Sequence, residues 1–189
     1  MTLSKRLFDL SLALVATILL SLPFLVVALL VKMTSPGPVL YWSNRVGRHN
    51  RLFAMPKFRS MRTNTPVVAT HLLAEPDTYL TPIGSMLRRT SLDELPQLWS
   101  IIKGDMSIVG PRPALFNQTD LIEARTTLGI DALTPGLTGW AQVNGRDDLP
   151  IAEKVEFDRQ YLARQSLRFD IRIIWLTLLG VMRADGVTH

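Results

Sequence analysis

Two adjacent carboxylates, Asp93 and Glu94, sit in a stretch that reads Arg88-Arg89-Thr90-Ser91-Leu92-Asp93-Glu94-Leu95-Pro96-Gln97-Leu98. It runs on through Lys103-Gly104-Asp105-Met106-Ser107 into Gly110-Pro111-Arg112-Pro113. A carboxylate dyad among cations and backbone-donating turns has the ingredients of phosphate chemistry. An aspartate can attack phosphorus and hold a phosphoryl group covalently, while arginines or a divalent cation neutralise the oxygens that make phosphate a reluctant electrophile. Asp93 as N-cap, Pro96 inside the first turn and Gly104 just past the end predict a helix of about ten residues with the dyad at its N-terminus. Free N–H groups and the positive end of the helix dipole would hold a phosphate there. Ser91 and Glu94 also have capping-box spacing, so a purely structural role stands beside the catalytic one.

A second polar cluster reads Thr134-Pro135-Gly136-Leu137-Thr138-Gly139-Trp140-Ala141-Gln142-Val143-Asn144-Gly145-Arg146. It is too rich in glycine for a helix and too polar for a buried strand, which predicts a shaped loop. Gln142, Asn144 and Arg146 suit recognition of a base, sugar or phosphate, and Trp140 either stacks on a ligand or, more commonly, packs. Arg88, Arg112 and Arg146, beside the dyad and in the two Gly-Pro-rich loops, are candidates for phosphate or nucleotide binding, with surface salt bridging as the bland alternative.

These residues need a body to position them and a place to act. The chain has 189 residues, 47% of them hydrophobic, and a positive mean hydropathy, enough for one core with apolar residues to spare. One domain plus a membrane element follows. Lysine and arginine number 21 against 16 acids, and the net charge of +5 favours an anionic partner such as phospholipid, a phosphorylated substrate or nucleic acid. The absence of cysteine excludes a disulfide framework and a thiolate zinc site, and His49, His71 and His189 lack metal-ligand spacing.

Residues 10–31 carry no charge and are interrupted only by Ser11, Thr17, Ser21 and Pro23. As one straight helix they would reach roughly 33 Å, enough to cross a bilayer core. The run is longer than a signal-peptide core, and Lys32-Met33-Thr34-Ser35 offers no cleavage site. Lys5 and Arg6 precede it, and Lys32, Arg45, Arg48, Arg51, Lys57, Arg59 and Arg62 follow it, with no acid between Asp9 and Glu75. Both flanks therefore ask to be cytoplasmic. A segment that dips in and returns would satisfy both, with Pro23 breaking the helix near its centre and Ser21 bonding back to a freed backbone group. A kinked spanning helix meets the same physics, so the residues alone leave both open.

Beyond the turn cluster Thr34-Ser35-Pro36-Gly37-Pro38, Val39-Leu40-Tyr41-Trp42 is strand-like, and the basic opening of the soluble part suits a headgroup-facing surface as well as a solvated basic face. Residues 65–82 read as loop and weak helix. Residues 151–162 form a charged amphipathic helix, and 166–182 a second segment, too short between charges to span, that lies against core or membrane surface.

Taken together, these motifs resemble the bacterial sugar transferases known as small monotopic phosphoglycosyl transferases. The likeness runs from Lys5-Arg6-Leu7-Phe8-Asp9 to Val187 and is carried by Lys57-Phe58-Arg59-Ser60-Met61, the dyad motif, Lys103-Gly104-Asp105-Met106-Ser107, Gly110-Pro111-Arg112-Pro113 and the loop from Pro135 to Arg146. The resemblance implies an α+β, mostly helical fold: a re-entrant membrane helix at 1–33 joined to a small cytoplasmic catalytic domain at 34–189 with amphipathic interfacial helices. It implies transfer of a sugar-1-phosphate from a UDP-sugar to a polyprenol phosphate such as undecaprenyl phosphate, with release of UMP, at the cytoplasmic face of the bacterial inner membrane, initiating glycoconjugate or exopolysaccharide assembly. In the family the dyad aspartate is the nucleophile and Mg²⁺ sits at the site; carried over, catalysis and metal binding fall on Asp93 and Glu94. Lys57, Arg59, Arg88, Arg112, Gln142 and Arg146 become the substrate-binding candidates. The family's membrane break reads Ser-Pro, whereas here it is Ser21-Leu22-Pro23, which leaves the break point open by a residue.

A conventional glycosyltransferase is disfavoured, because the chain has no Asp-x-Asp motif and no Gly-rich turn after a strand. A non-catalytic membrane-bound scaffold for polysaccharide assembly would not need Asp93, Glu94 and Arg112 together. Nucleic acid is not expected as a partner, since the basic stretch adjoins the membrane run and contains no recognised binding motif. Which UDP-sugar is used, and whether the chain forms a homo-oligomer, the sequence leaves open.

Overall fold

The uncharged run folds into two helices. In the computed structural model, which describes residues 2–66, 68, 75–145 and 149–183, α1 (Leu3–Leu19) and α2 (Ser21–Thr34) meet at Leu20 with a bend of 63°. Pro23 occupies the third position of α2, where the helix's own N–H groups have no intrahelical partner to lose. Ser21 Oγ donates to the Ile18 carbonyl at 2.8 Å, the back-bond expected of it. Among the described residues no single helix is long and apolar enough to cross a membrane; only this bent pair reaches that length and composition.

Both ends of the pair are fastened to the same body. At the start of α1, Lys5 Nζ donates to Asp170 Oδ2 at 2.8 Å, and Asp9 accepts from Ser107 Oγ at 2.7 Å and from the Ile108 N–H at 3.3 Å. Arg6 donates to the carbonyls of Ile101 and Ile102 at 2.6 and 2.8 Å. At the exit of α2, the Arg59 guanidinium donates to the carbonyls of Ser35 and Pro36. Lys5 and Arg6, read from sequence as flanking cations, thus reach into the domain.

The remainder is mostly helical α+β. β1 (Leu40–Val46) and β2 (Leu52–Phe58) pair antiparallel from Leu40↔Phe58 to Val46↔Leu52. His49 and Asn50, with φ of 53° and 56°, make the turn between them, the left-handed pair a tight hairpin needs. α3 (Gly84–Arg89) and α4 (Gln97–Lys103) flank the dyad. β3 (Ser107–Val109) and β4 (Gly136–Thr138) pair parallel, joined by a crossover that carries α5 (Thr119–Thr127). α6 (Trp140–Val143), α7 (Ile151–Arg164) and α8 (Leu167–Arg183) complete the chain.

The segment expected to be a shaped loop is therefore partly regular. Its glycines are explained by close approach: a Cβ on Gly136 would land on the Gly110 backbone, and one on Gly110 would land on the Thr134 carbonyl. The main core gathers Ile101, Met106, Val109, Ile130, Tyr161 and Ile173. A second, smaller core joins Val27 and Val31 of α2 to Phe58 and Leu87, with Leu92 and Leu95 packed against it. That second core is what seats the dyad.

Candidate functional site

Asp93 and Glu94 are placed by the apolar residues on either side of them. Ser91 has a φ of 56°, which ends the path of α3 and turns the chain into a single 3-10 turn, Leu92–Glu94. Leu92 and Leu95, each half-buried, pack against the small core of Val27, Val31, Phe58 and Leu87, and the two carboxylates between them face the cations of neighbouring elements. This corrects the expected geometry. Asp93 is not an N-cap and Ser91 makes no side-chain cap; the Glu94 N–H bonds instead to the Ser91 carbonyl at 3.1 Å. The helix starts only at Gln97, after Pro96 with φ of −62°, and has seven residues before Gly104 closes it with a φ of 103°. The cationic environment of the dyad comes from side chains, not from a helix dipole.

Lys57, near the end of β2, donates from Nζ to Glu94 Oε1 at 2.7 Å and lies 3.9 Å from Asp93 Oδ2. Arg112, between the two prolines of its loop, donates from Nη2 to the same Glu94 Oε1 at 3.2 Å. Arg88 on α3 acts electrostatically on Asp93, and its Nη2 lies 3.5 Å from Met61 Sδ. Five of the residues picked from sequence therefore converge: Lys57, Arg88, Asp93, Glu94 and Arg112.

The two carboxylates are tuned apart. Asp93 is 6% exposed, and burial pushes its pKa above the ordinary 3.8; the Glu94 charge adds to the push, while Lys57, Arg88 and Arg112 oppose it. Burial also acts on Glu94, but the charges and hydrogen bonds of Lys57 and Arg112 outweigh it and hold the Glu94 carboxyl well below the usual range. Glu94 is thus a fixed anion, and Asp93 is the carboxylate with the greater affinity for a proton or another electrophile.

The other candidates lie elsewhere. Arg59 is 3% exposed and bonded to the α2 exit, as described above. Gln142 donates from Nε2 to its own loop's Leu137 carbonyl at 3.1 Å, and its buried Oε1 has no hydrogen-bond partner among the described residues. Arg146 lies outside the described residues. Trp140 packs: its Nε1 donates to Gln160 at 3.0 Å and its ring sits 5.1 Å from that of Phe169. Sequence reasoning missed the buried polar set of Lys5, Asp9, Ser107, Tyr161 and Asp170, for which the i, i+4 spacing of Lys5 and Asp9 was the only local sign. It also missed Arg125 on α5 and Asp158 on α7, two ordinary-looking helix charges that are buried together.

The family model of the bacterial sugar transferases matches residues 1–184. The exopolysaccharide production protein ExoY of Sinorhizobium fredii is 38% identical over 198 residues, covering 97% of this chain and 87% of that protein. The UDP-glucose:undecaprenyl-phosphate glucose-1-phosphate transferase of Xanthomonas campestris is 43% identical over 187 residues, covering 95% of this chain but 39% of the relative. The undecaprenyl-phosphate galactose phosphotransferase of Salmonella typhimurium is 39% identical over 198 residues, with coverages of 96% and 41%. The chain thus spans about two-fifths of the length of those two transferases and most of the length of the first relative. With the dyad, its three cations and the bent helix pair all inside the matched region, the chain belongs to the bacterial sugar transferase family.

Proposed function

We propose that the chain transfers a sugar-1-phosphate from a UDP-sugar to undecaprenyl phosphate at the cytoplasmic face of the bacterial inner membrane, by way of a covalent phosphosugar on Asp93. The observation that carries this reading is the buried Asp93 carboxylate, raised in basicity and ringed by Lys57, Arg88 and Arg112. In the first step an Asp93 oxygen attacks the phosphorus that bears the sugar, and the bond from that phosphorus to the bridging oxygen breaks. UMP leaves with the bond's electron pair. In the second step a phosphate oxygen of the polyprenol phosphate attacks the same phosphorus; the acyl-phosphate bond from the Asp93 oxygen to phosphorus breaks, freeing the carboxylate and a polyprenyl diphosphate sugar. Lys57, Arg88 and Arg112 neutralise the phosphate oxygens in both steps, and Glu94 holds Lys57 and Arg112 in place.

Among the described residues no cluster of three or more acidic or histidine groups is placed to hold a metal, so the donors available are the dyad itself. That set suits Mg²⁺, which takes one or two carboxylates together with substrate phosphate oxygens. Asp93 and Glu94 would hold it, and when bound it would neutralise charge on those oxygens.

The membrane reading is supported by the exposed apolar faces. Leu14 and Ile18 on α1, Leu25 and Leu29 on α2, and Trp175 and Leu178 on α8 are all at least half exposed. Val27 and Val31 of α2 share a core with the dyad's turn, which suits an active site held at the height of a polyprenol phosphate headgroup.

Intact-protein mass spectrometry after incubation with a UDP-sugar alone should show the mass of one phosphosugar, absent in Asp93→Asn. Turnover, read as UMP release with acceptor present, should fall at least about a thousandfold in that variant, as for loss of a covalent nucleophile. An enzyme that turns over with no adduct trapped at Asp93 would overturn the covalent route.

A further inference from the structure

Arg112 is gripped from behind. Its carbonyl accepts a hydrogen bond from Arg125 Nη1 at 2.8 Å, and Arg125 places both Nε and Nη2 on Asp158 Oδ2, at 2.9 and 2.6 Å. Arg125 is 8% and Asp158 1% exposed, one on α5 and the other on α7. The loop they meet is already restricted. Pro111 and Pro113 fix their own φ, Pro113 confines Arg112 to extended backbone, and the Pro111 and Pro113 carbonyls accept from the Gly136 N–H at 2.9 Å and from Arg45 Nη1 at 3.1 Å. What remains is the tilt of the Arg112–Pro113 peptide, which Arg125 holds through the carbonyl. That tilt aims the Cα–Cβ bond along which the Arg112 guanidinium reaches Glu94.

We propose that Arg125 and Asp158 are positioning residues for the transfer reaction, setting the Arg112 backbone so that its guanidinium meets the dyad and the donor's diphosphate. The inference rests on the reading of Arg112 as a ligand of the donor's phosphates. A buried ion pair adds little stability over a well-packed apolar pair, but a forked guanidinium fixes directions that apolar contacts leave loose. Lysine at 125 cannot bridge Asp158 and the Arg112 carbonyl with the same planar fork.

The test is a double-mutant cycle on the full chain in detergent, with UDP affinity read by calorimetry and melting temperature followed in parallel. Arg125→Lys should weaken UDP binding about tenfold, in the range of coupling between neighbouring residues. It should have no further effect once Arg112→Ala has removed the side chain being aimed. Asp158→Asn should behave as Arg125→Lys does, and it carries the cycle if the latter melts too low to assay. Equal weakening in both backgrounds, or none in either, would overturn the inference while leaving the proposed function standing. A wild-type protein that does not bind UDP would sink both.

Discussion

The opposite tuning of two neighbouring carboxylates is a statement about stability as well as chemistry. The folded-state pKa of Asp93 lies above its unfolded value, so protonated Asp93 contributes stability at low pH that is lost as pH rises through the raised value. Above that range the buried carboxyl group is a burden on the fold relative to the unfolded chain. Asp93→Asn should therefore raise the melting temperature at pH 7, and the gain should vanish below about pH 4, where the unfolded chain also binds the proton. Glu94 has the opposite sign: its folded pKa is depressed, so its contribution is present above the unfolded value of 4.5 and lost as pH falls. Glu94→Gln should lower the melting temperature at pH 7 and lose that effect in acid. If both variants moved stability the same way at pH 7, the assignment of the two roles would be wrong. Lys57 opposes the upward push on Asp93, so Lys57→Met should move the acid limb of kcat/KM to higher pH and lower its plateau.

The helices and strands that carry these residues were readable from sequence only in part, and the divide follows the range of the forces. Local signals worked: Ser21 and Pro23 marked the break between α1 and α2 to within a residue or two, Gly104 marked the end of α4, and the amphipathic pattern marked α7. Where distant partners decide the backbone, local rules failed. Ser91 takes a left-handed conformation where Leu92 and Leu95 turn in to pack against the core of Val27, Val31, Phe58 and Leu87, and most of those partners are invisible in the dyad's own neighbourhood. β4 reads as loop in the sequence because its pairing with β3 is parallel and some thirty residues away, and its Gly136 serves backbone approach to Gly110. Arg88 and Arg112 stand out in the sequence by their place beside the dyad and in the Gly-Pro-rich loop, and Lys57 only through the family resemblance, while the commitment of Arg59 to the α2 exit has no sign in the sequence. Arg59→Met would strand the buried Ser35 carbonyl and remove a bond to the carbonyl of the exposed Pro36. We expect a loss of about 1–3 kcal/mol, the cost of one buried acceptor left unpaired, seen as a lower melting temperature in detergent. No change would mean that those bonds are replaced by water.

The bent pair, α4, α8 and the dyad's turn behave as one body, and this constrains how the molecule meets a membrane. A straight spanning α1–α2 would carry Lys5 and Arg6 about 30 Å from the domain. Asp170 would then be left as a buried carboxylate without its lysine, Ser107 Oγ and the Ile108 N–H would lose Asp9, and the Ile101 and Ile102 carbonyls would lose Arg6. Removing one partner from a buried ion pair costs about 3–5 kcal/mol, so the domain itself favours the bent arrangement of α1 and α2 over a straight one, in line with the proposed re-entrant topology. The chain has no cysteine of its own, so Ser4→Cys at the exposed start of α1 and Thr127→Cys at the exposed end of α5 report the two positions separately. A membrane-impermeant maleimide applied to intact spheroplasts should label neither site, and both after permeabilisation. Labelling at Ser4→Cys alone from outside would show a spanning helix, and with it a domain whose buried Asp170 and Ser107 must find other partners.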